Sequence, residues 1–130
     1  MIIGDTITRE EQVDFTAEFM VKDIQKSIDF YTKVLGFRLH RVTPDGKFAI
    51  IFLEKAMVML YEVTTLSEPR FSGLEVRFLI NDIDSYYKKI IARGAEFEKT
   101  IFNAPYGLRQ FYVKNPDGVS LKFSSVINRE

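Results

Sequence analysis

Charged side chains stand at alternate positions of several segments whose hydrophobic pattern is typical of β-strands. Glu18 lies in the first such segment, Glu75 and Arg77 in the fifth, and Lys122 in the last. Because successive side chains of a strand point to opposite faces of a sheet, each segment directs its charges to one face. Carboxylates there could hold a cationic group of a ligand or, with pKa values raised by burial, act in acid–base catalysis. The same charges could instead pair with one another and only fill the face.

In two of these segments, less polar side chains are expected on the same face of the sheet as the charges. Met57, Met59 and Tyr61 alternate along the fourth segment, and Thr16 precedes Glu18 at the same spacing in the first. Thioethers adapt to irregular ligands and contact aromatic rings favourably. A stripe of methionine is more often core filling than a ligand platform, and both interpretations stay open for Met57 and Met59.

Other residue types limit the kinds of ligand and metal site that the chain can form. Arg109, in a Gly-Leu-Arg motif, could recognise a carboxylate, although the favoured interpretation is that it pins the turn at Asp117. The chain has one histidine, His40, and no cysteine, so it lacks thiolate metal ligands, disulfides and the paired histidines of zinc sites. No catalytic residue is assigned from the sequence.

Length and charge indicate one globular domain. The chain has 130 residues, of which 46% are hydrophobic, and its 18 basic residues balance 18 acidic ones. This balance gives no electrostatic footprint for nucleic acid or an anionic membrane, so neither is expected as a partner. The apolar runs are too short to cross a bilayer, and the first residues lack the apolar region of a signal peptide. We therefore expect a cytoplasmic protein.

The elements that would position these side chains occur twice in the same order. Asp23 and Asp82 each follow a strand-like segment and precede amphipathic helical spacing, as helix N-caps do, and they lie 59 positions apart. Gly36 and Gly94 end the two helices and lie 58 positions apart. A repeat that agrees at both ends of the helix is stronger evidence than either helix alone.

The sequence therefore predicts an α+β fold. Two tandem βαβββ modules would form a curved mixed sheet around a concave cavity, with one helix packed on each module. Residues 1–13 are expected to form an N-terminal arm, and residues 14–130 one domain. Within that domain, module one spans residues 14–63, a linker spans residues 64–73 and module two spans residues 74–127.

Two motifs carry a resemblance to a known family. VKDIQKSIDFY at 21–31 with VLGF at 34–37, and YGLRQFYV at 106–113 with NPDG at 115–118, resemble the signatures of the vicinal oxygen chelate superfamily. That superfamily includes glyoxalase I, extradiol dioxygenases and the fosfomycin- and bleomycin-resistance proteins. The similarity runs from about residue 15 to residue 123 and implies the same duplicated fold.

The resemblance also indicates where a metal would bind. The metal-dependent members place ligands at four strand positions, which correspond here to Thr16, Met59, Glu75 and Lys122. Only Glu75 is a good ligand for a divalent metal, since a lysine ammonium has no free lone pair. We therefore expect no metal and no other cofactor.

These features predict a metal-independent protein of the bleomycin-resistance type, which binds a small molecule and acts in ligand sequestration or resistance, as a homodimer. Three alternatives stay open: a metal-dependent glyoxalase-like lyase or dioxygenase with non-standard ligands, metal-free acid–base catalysis by Glu75 or Glu18, and a structural or regulatory binding module. The ligand-binding residues that the sequence predicts are Thr16, Glu18, Met57, Met59, Tyr61, Glu75, Arg77, Arg109 and Lys122.

Overall fold

The computed structural model describes residues 15–65 and 75–127. The predicted arm at 1–13 and residues 66–73 of the predicted linker lie outside the described residues. Among the described residues, no helix is long and apolar enough to cross a membrane.

Each module contains four strands and one helix in the predicted order. Module one consists of β1 (Ala17–Val21), α1 (Ile24–Asp29), β2 (Arg38–Val42), β3 (Phe48–Leu53) and β4 (Ala56–Glu62). Module two consists of β5 (Val76–Leu79), α2 (Ile83–Ala92), β6 (Lys99–Asn103), β7 (Leu108–Lys114) and β8 (Ser120–Val126). The α+β fold with two tandem modules is therefore confirmed.

The described strands form two four-stranded sheets, one in each module. The strand order is β1-β4-β3-β2 in the first sheet and β5-β8-β7-β6 in the second. In each sheet the first strand pairs parallel with the last, and the remaining neighbours are antiparallel. The parallel pair requires a crossover, which the helix of the module provides.

Both helices begin at the predicted caps. The Asp23 side chain accepts from the Lys26 backbone N–H at 3.1 Å, and Asp82 accepts from the Ser85 backbone N–H at 3.1 Å. These bonds satisfy an N–H group that has no partner inside the helix. After α1 the chain continues as a π-helical turn over Phe30–Val34 before Gly36 reverses its direction with a φ of 73°.

The two modules share one hydrophobic core between their helix-covered faces. Phe37 of module one meets Phe78 of module two edge to face, with ring centroids 5.5 Å apart. The buried Tyr86 hydroxyl donates to the Leu35 carbonyl at 2.6 Å and so ties α2 to the end of the first helix. Because each sheet completes the core of the other, neither module buries its apolar face alone.

One strand begins later than its sequence indicates. The pattern at 95–101 predicts a strand, whereas β6 starts at Lys99. The Ala95 backbone N–H still donates to the Ile90 carbonyl at the end of α2, and the Phe97 ring packs on Tyr87 with centroids 4.8 Å apart. Residues 95–97 therefore complete the helix end and the core before the chain can join the sheet.

Candidate functional site

Polar side chains gather on one face of the second sheet. The core residues Phe78, Phe111 and Phe123 point towards α2, so the side chains that alternate with them point away from it. We call this surface the outward face of the second sheet. It carries the following residues from the β5 segment, β7 and β8: Glu75, Arg77, Gln110, Tyr112, Lys122 and Ser124.

Gln110 lies fully buried at the centre of this face and has four partners. Its Oε1 accepts from Arg77 Nη1 and from Ser124 Oγ, the latter at 3.1 Å. Its Nε2 donates to the hydroxyl oxygens of Tyr106 and Tyr112, at 2.6 and 3.2 Å. A buried amide that is satisfied on both sides has one orientation, and it fixes the groups bonded to it. Gln110 therefore holds one guanidinium and two phenols in a defined arrangement.

Arg77 is a cation whose hydrogen-bond acceptors are neutral. Besides Gln110, its Nη1 donates to Ser124 Oγ at 2.7 Å, and its guanidinium carbon lies 6.0 Å from the centre of the Tyr106 ring. Within residues 15–65 and 75–127, Arg77 forms no ion pair with a carboxylate. In these ranges no carboxylate neutralises the charge of the guanidinium, which lies on an exposed surface.

Two lysines lie against the neighbouring aromatic rings. The Lys122 ammonium pairs with the Glu75 carboxylate and lies 4.7 Å from the centre of the Tyr112 ring, with only 14% of its side chain exposed. The bond to Glu75 raises the pKa of Lys122 above its ordinary value. Lys99 lies 4.2 Å from the centre of the Phe102 ring and 5.9 Å from that of Tyr112. Cations over aromatic faces are stabilised by the ring quadrupole.

The phenol of Tyr106 is electrostatically unusual. Its side chain is exposed, and the Gln110 amide that donates to its oxygen, followed by the nearby Arg77, lowers the pKa of Tyr106 below its ordinary value. Burial acts in the opposite direction on two core tyrosines and raises the pKa of Tyr31 and Tyr86.

An alkaline titration should separate these tyrosines. Tyr106 is expected to ionise first, below the ordinary value of about 10, whereas Tyr31 and Tyr86 stay protonated until the chain unfolds. Because the unfolded chain loses those two protons first, the native state loses stability as the pH rises above about 10. Ultraviolet absorbance of phenolate measures both steps. A first step of unchanged size in Tyr106→Phe would contradict the assignment.

The outward face of the first sheet is largely closed. Met57 and Met59 are each 6% exposed and pack with Phe48 and Ile50 in a second apolar cluster. This burial is what the core-filling interpretation predicts for both methionines. Tyr61, which alternates with them, is exposed.

Two further predicted residues lie on β1 or just before it. Glu18 is exposed and forms no ion pair with another residue in the described ranges. The Thr16 hydroxyl donates to the Met57 carbonyl at 2.9 Å, so it serves the link between β1 and β4. The structure therefore brings Glu75, Arg77 and Lys122 together and leaves Thr16 and Glu18 on the other sheet.

Arg109 lies on the helix side of the second sheet. Its guanidinium donates to both Asp84 carboxylate oxygens at 3.0–3.1 Å and to Asn103 Oδ1 at 3.0 Å. These residues line a cleft of about 450 Å³ beside the start of α2. The prediction that Arg109 pins Asp117 is wrong, because Asp117 Oδ1 accepts from the Lys22 backbone N–H at 3.1 Å. Strand alternation separates Arg109 from the outward face.

Comparison with known proteins identifies the family to which this chain belongs. The family model of the Glyoxalase/Bleomycin resistance protein/Dioxygenase superfamily matches residues 12–123. The chain belongs to this superfamily. It is also 32% identical over 124 residues to the uncharacterized protein YwbC of Bacillus subtilis (strain 168), which covers 87% of this chain and 96% of that protein.

Solved structures share the architecture at low identity. TioX from Micromonospora sp. ML1 has a TM-score of 0.74 at 22% identity, covering 89% of this chain and 100% of TioX. A glyoxalase/bleomycin resistance protein/dioxygenase from Alicyclobacillus acidocaldarius has a TM-score of 0.75 at 18% identity, covering 93% of this chain and 96% of the other. These likenesses establish the fold.

The four positions at which metal-dependent superfamily members bind a metal do not suit one here. The Thr16 hydroxyl is bonded to backbone, Met59 is buried in the apolar cluster, and the Lys122 ammonium pairs with Glu75. Nowhere in the described ranges do three or more His, Cys, Asp or Glu side chains group so as to hold a metal ion. This donor set does not fit a divalent metal.

The sequence did not indicate the centre of the polar network. Gln110, Tyr106 and Tyr112 all belong to the YGLRQFYV motif, but the faces of β7 are defined only by its pairing with β8. In that pairing Gln110 lies opposite Ser124, and Tyr112 lies opposite Lys122. The sequence itself shows only a neutral glutamine between Arg109 and Phe111, and its burial is known from the structure.

Proposed function

We propose that this protein binds a small molecule without a metal, on the outward face of the second sheet, and acts by sequestering that ligand. The observation that supports the proposal most is the fully buried Gln110 amide, which orients one guanidinium and two phenols at an exposed surface. Preorganised polar groups beside aromatic rings are the usual composition of a small-molecule site.

A ligand screen in the presence of EDTA tests this proposal. We expect at least one member of a library of cationic, neutral and anionic aromatic compounds, including bleomycin, to raise the unfolding temperature by mass action. Backbone amide shifts in two-dimensional NMR should then map that compound to β5, β7 and β8. A screen without binders, or binders that map to the first sheet alone, would refute the proposal.

A metal-dependent lyase is the second candidate function. It is favoured by a stretch of 35 residues that is 57% identical to lactoylglutathione lyase of Pseudomonas putida, covering 25% of this chain and 20% of that enzyme. Elemental analysis of protein purified without chelator distinguishes the candidates. One divalent metal per chain would support the lyase, and metal-free protein that still binds ligand would exclude it.

A further inference from the structure

Among the residues that the structure describes, those on the outward face carry more positive than negative charge. Arg77, Lys99 and Lys122 contribute three cations, and Glu75 contributes one carboxylate, which is already paired with Lys122. Further along the sheet, Lys114 pairs with Glu98 at 3.5 Å and adds no net charge. A surface with an excess of positive charge attracts anionic ligands and repels cationic ones, although the glutamates alone would suggest a cationic ligand.

The fixed polar groups also present donors outwards. Both bonds from Arg77 to Gln110 and Ser124 use Nη1, and the guanidinium also bonds to the Tyr106 hydroxyl, so the N–H groups beyond these three bonds remain for a ligand. The oxygens of Tyr106 and Tyr112 accept from Gln110, so each hydroxyl keeps its own proton to donate. A guanidinium edge matches the planar geometry of a carboxylate.

Apolar surface lies beside these donors. Tyr106 is 57% exposed, and Leu79, two residues after Arg77 on the same strand face, is 65% exposed. Exposed apolar side chains next to a charged anchor suit a ligand with a ring attached to its acid group.

We propose that the outward face binds the carboxylate of a small aromatic acid through Arg77 and the hydroxyls of Tyr106 and Tyr112. This inference rests on the proposed function and names the ligand class of the same site. At this face, a protein cation held by a buried amide supplies the positive charge.

Benzoate and benzyl alcohol form a matched pair of probes, because they share the ring and differ in charge. We expect benzoate to shift the backbone amides of residues 75–79, 106–112 and 120–124 saturably in two-dimensional NMR, and benzyl alcohol to bind at least tenfold more weakly. Arg77→Gln should weaken benzoate about tenfold or more, since a hydrogen bond to a charged group is lost. Arg77→Lys keeps the charge but loses the planar fork of the guanidinium. Its affinity for benzoate should lie between those of the natural chain and of Arg77→Gln.

Arg38→Gln is the control variant. Arg38 also lies over an aromatic ring, 4.9 Å from the centre of Phe52, but on the first sheet. The Arg38→Gln variant should bind benzoate as tightly as the natural chain does. Thermal unfolding should confirm that Arg38→Gln and Arg77→Gln are both folded.

Each contrary result has a defined meaning. Equal binding of benzoate and benzyl alcohol at this face would overturn the carboxylate assignment and leave the proposed binding function standing. Undiminished benzoate binding by Arg77→Gln, or inorganic phosphate that binds more tightly than benzoate, would also overturn it. If benzoate shifts none of these residues, the inference fails, and if the library screen also finds no binder, the proposed function fails with it.

Discussion

Asn115→Ala is expected to lower the free energy of unfolding by about 3 kcal/mol, because it leaves two buried N–H groups without an acceptor. Asn115 is buried, and its Oδ1 accepts from the backbone N–H groups of Asp117 and Val119 at 3.0 and 2.9 Å. Its Nδ2 also donates to the buried Tyr31 hydroxyl of module one at 3.3 Å. A loss of this size in a chain this short should lower the unfolding temperature by about 10 °C.

Urea unfolding measures this change, with the slope expected to stay constant while the midpoint falls. Asn103→Ala is the matched control, since exposed Asn103 only accepts one bond from Arg109, and its effect should stay within about 0.5 kcal/mol. A loss below about 1 kcal/mol for Asn115→Ala would show that water or a rearranged turn replaces the lost acceptor.

The same turn explains why the two modules should unfold together. Asn115 orders the segment that brings the Asp117 carboxylate to the Lys22 backbone N–H at the end of β1. The shared core around Phe37 and Phe78 couples the modules a second time. We therefore attribute the stability to the pair of modules, although the duplication suggests two separable units.

Local signals were sufficient for the scaffold. The N-caps Asp23 and Asp82 and the glycines that follow each helix depend only on backbone groups within a few residues, and both helices begin where those caps predict. The strand β3 coincides with the apolar run at 48–53, which turns flank on both sides. The start of β6 was missed because the Phe97 ring is held by Tyr87 of α2 and Phe111 of β7, and these contacts form only in the tertiary structure.

The site was less predictable because it depends on relations between strands. Alternation correctly placed Arg77 and Lys122 on one face, but it cannot show whether a face is covered, as the buried Met57 and Met59 demonstrate. It also cannot show which residue of β7 lies beside them. Only the pairing of β7 with β8 makes Gln110 the centre of the network.

Gln110→Glu should have the largest effect on ligand binding. The two side chains have nearly the same shape, so the new carboxylate would remain beside the Arg77 guanidinium and neutralise it. At about 5 Å and an effective dielectric constant of about 20, one added charge repels a bound carboxylate by about 3 kcal/mol. We therefore expect benzoate affinity to fall on the order of a hundredfold, which NMR titration measures.

Gln110→Glu should also reverse the lowering of the Tyr106 pKa. The amide that donates to its hydroxyl would be lost and a negative charge added, so the pKa of Tyr106 should rise and its early ionisation step should disappear. Gln25→Glu makes the same change in charge on the exposed surface of α1, where Gln25 bonds only to Asp29, and should alter neither property. Benzoate binding retained by a folded Gln110→Glu variant would mean that Arg77 does not hold the ligand. Since the ion pair formed with Arg77 compensates the buried charge, loss of binding without loss of folding is the result expected if the charge of Arg77 holds the ligand carboxylate.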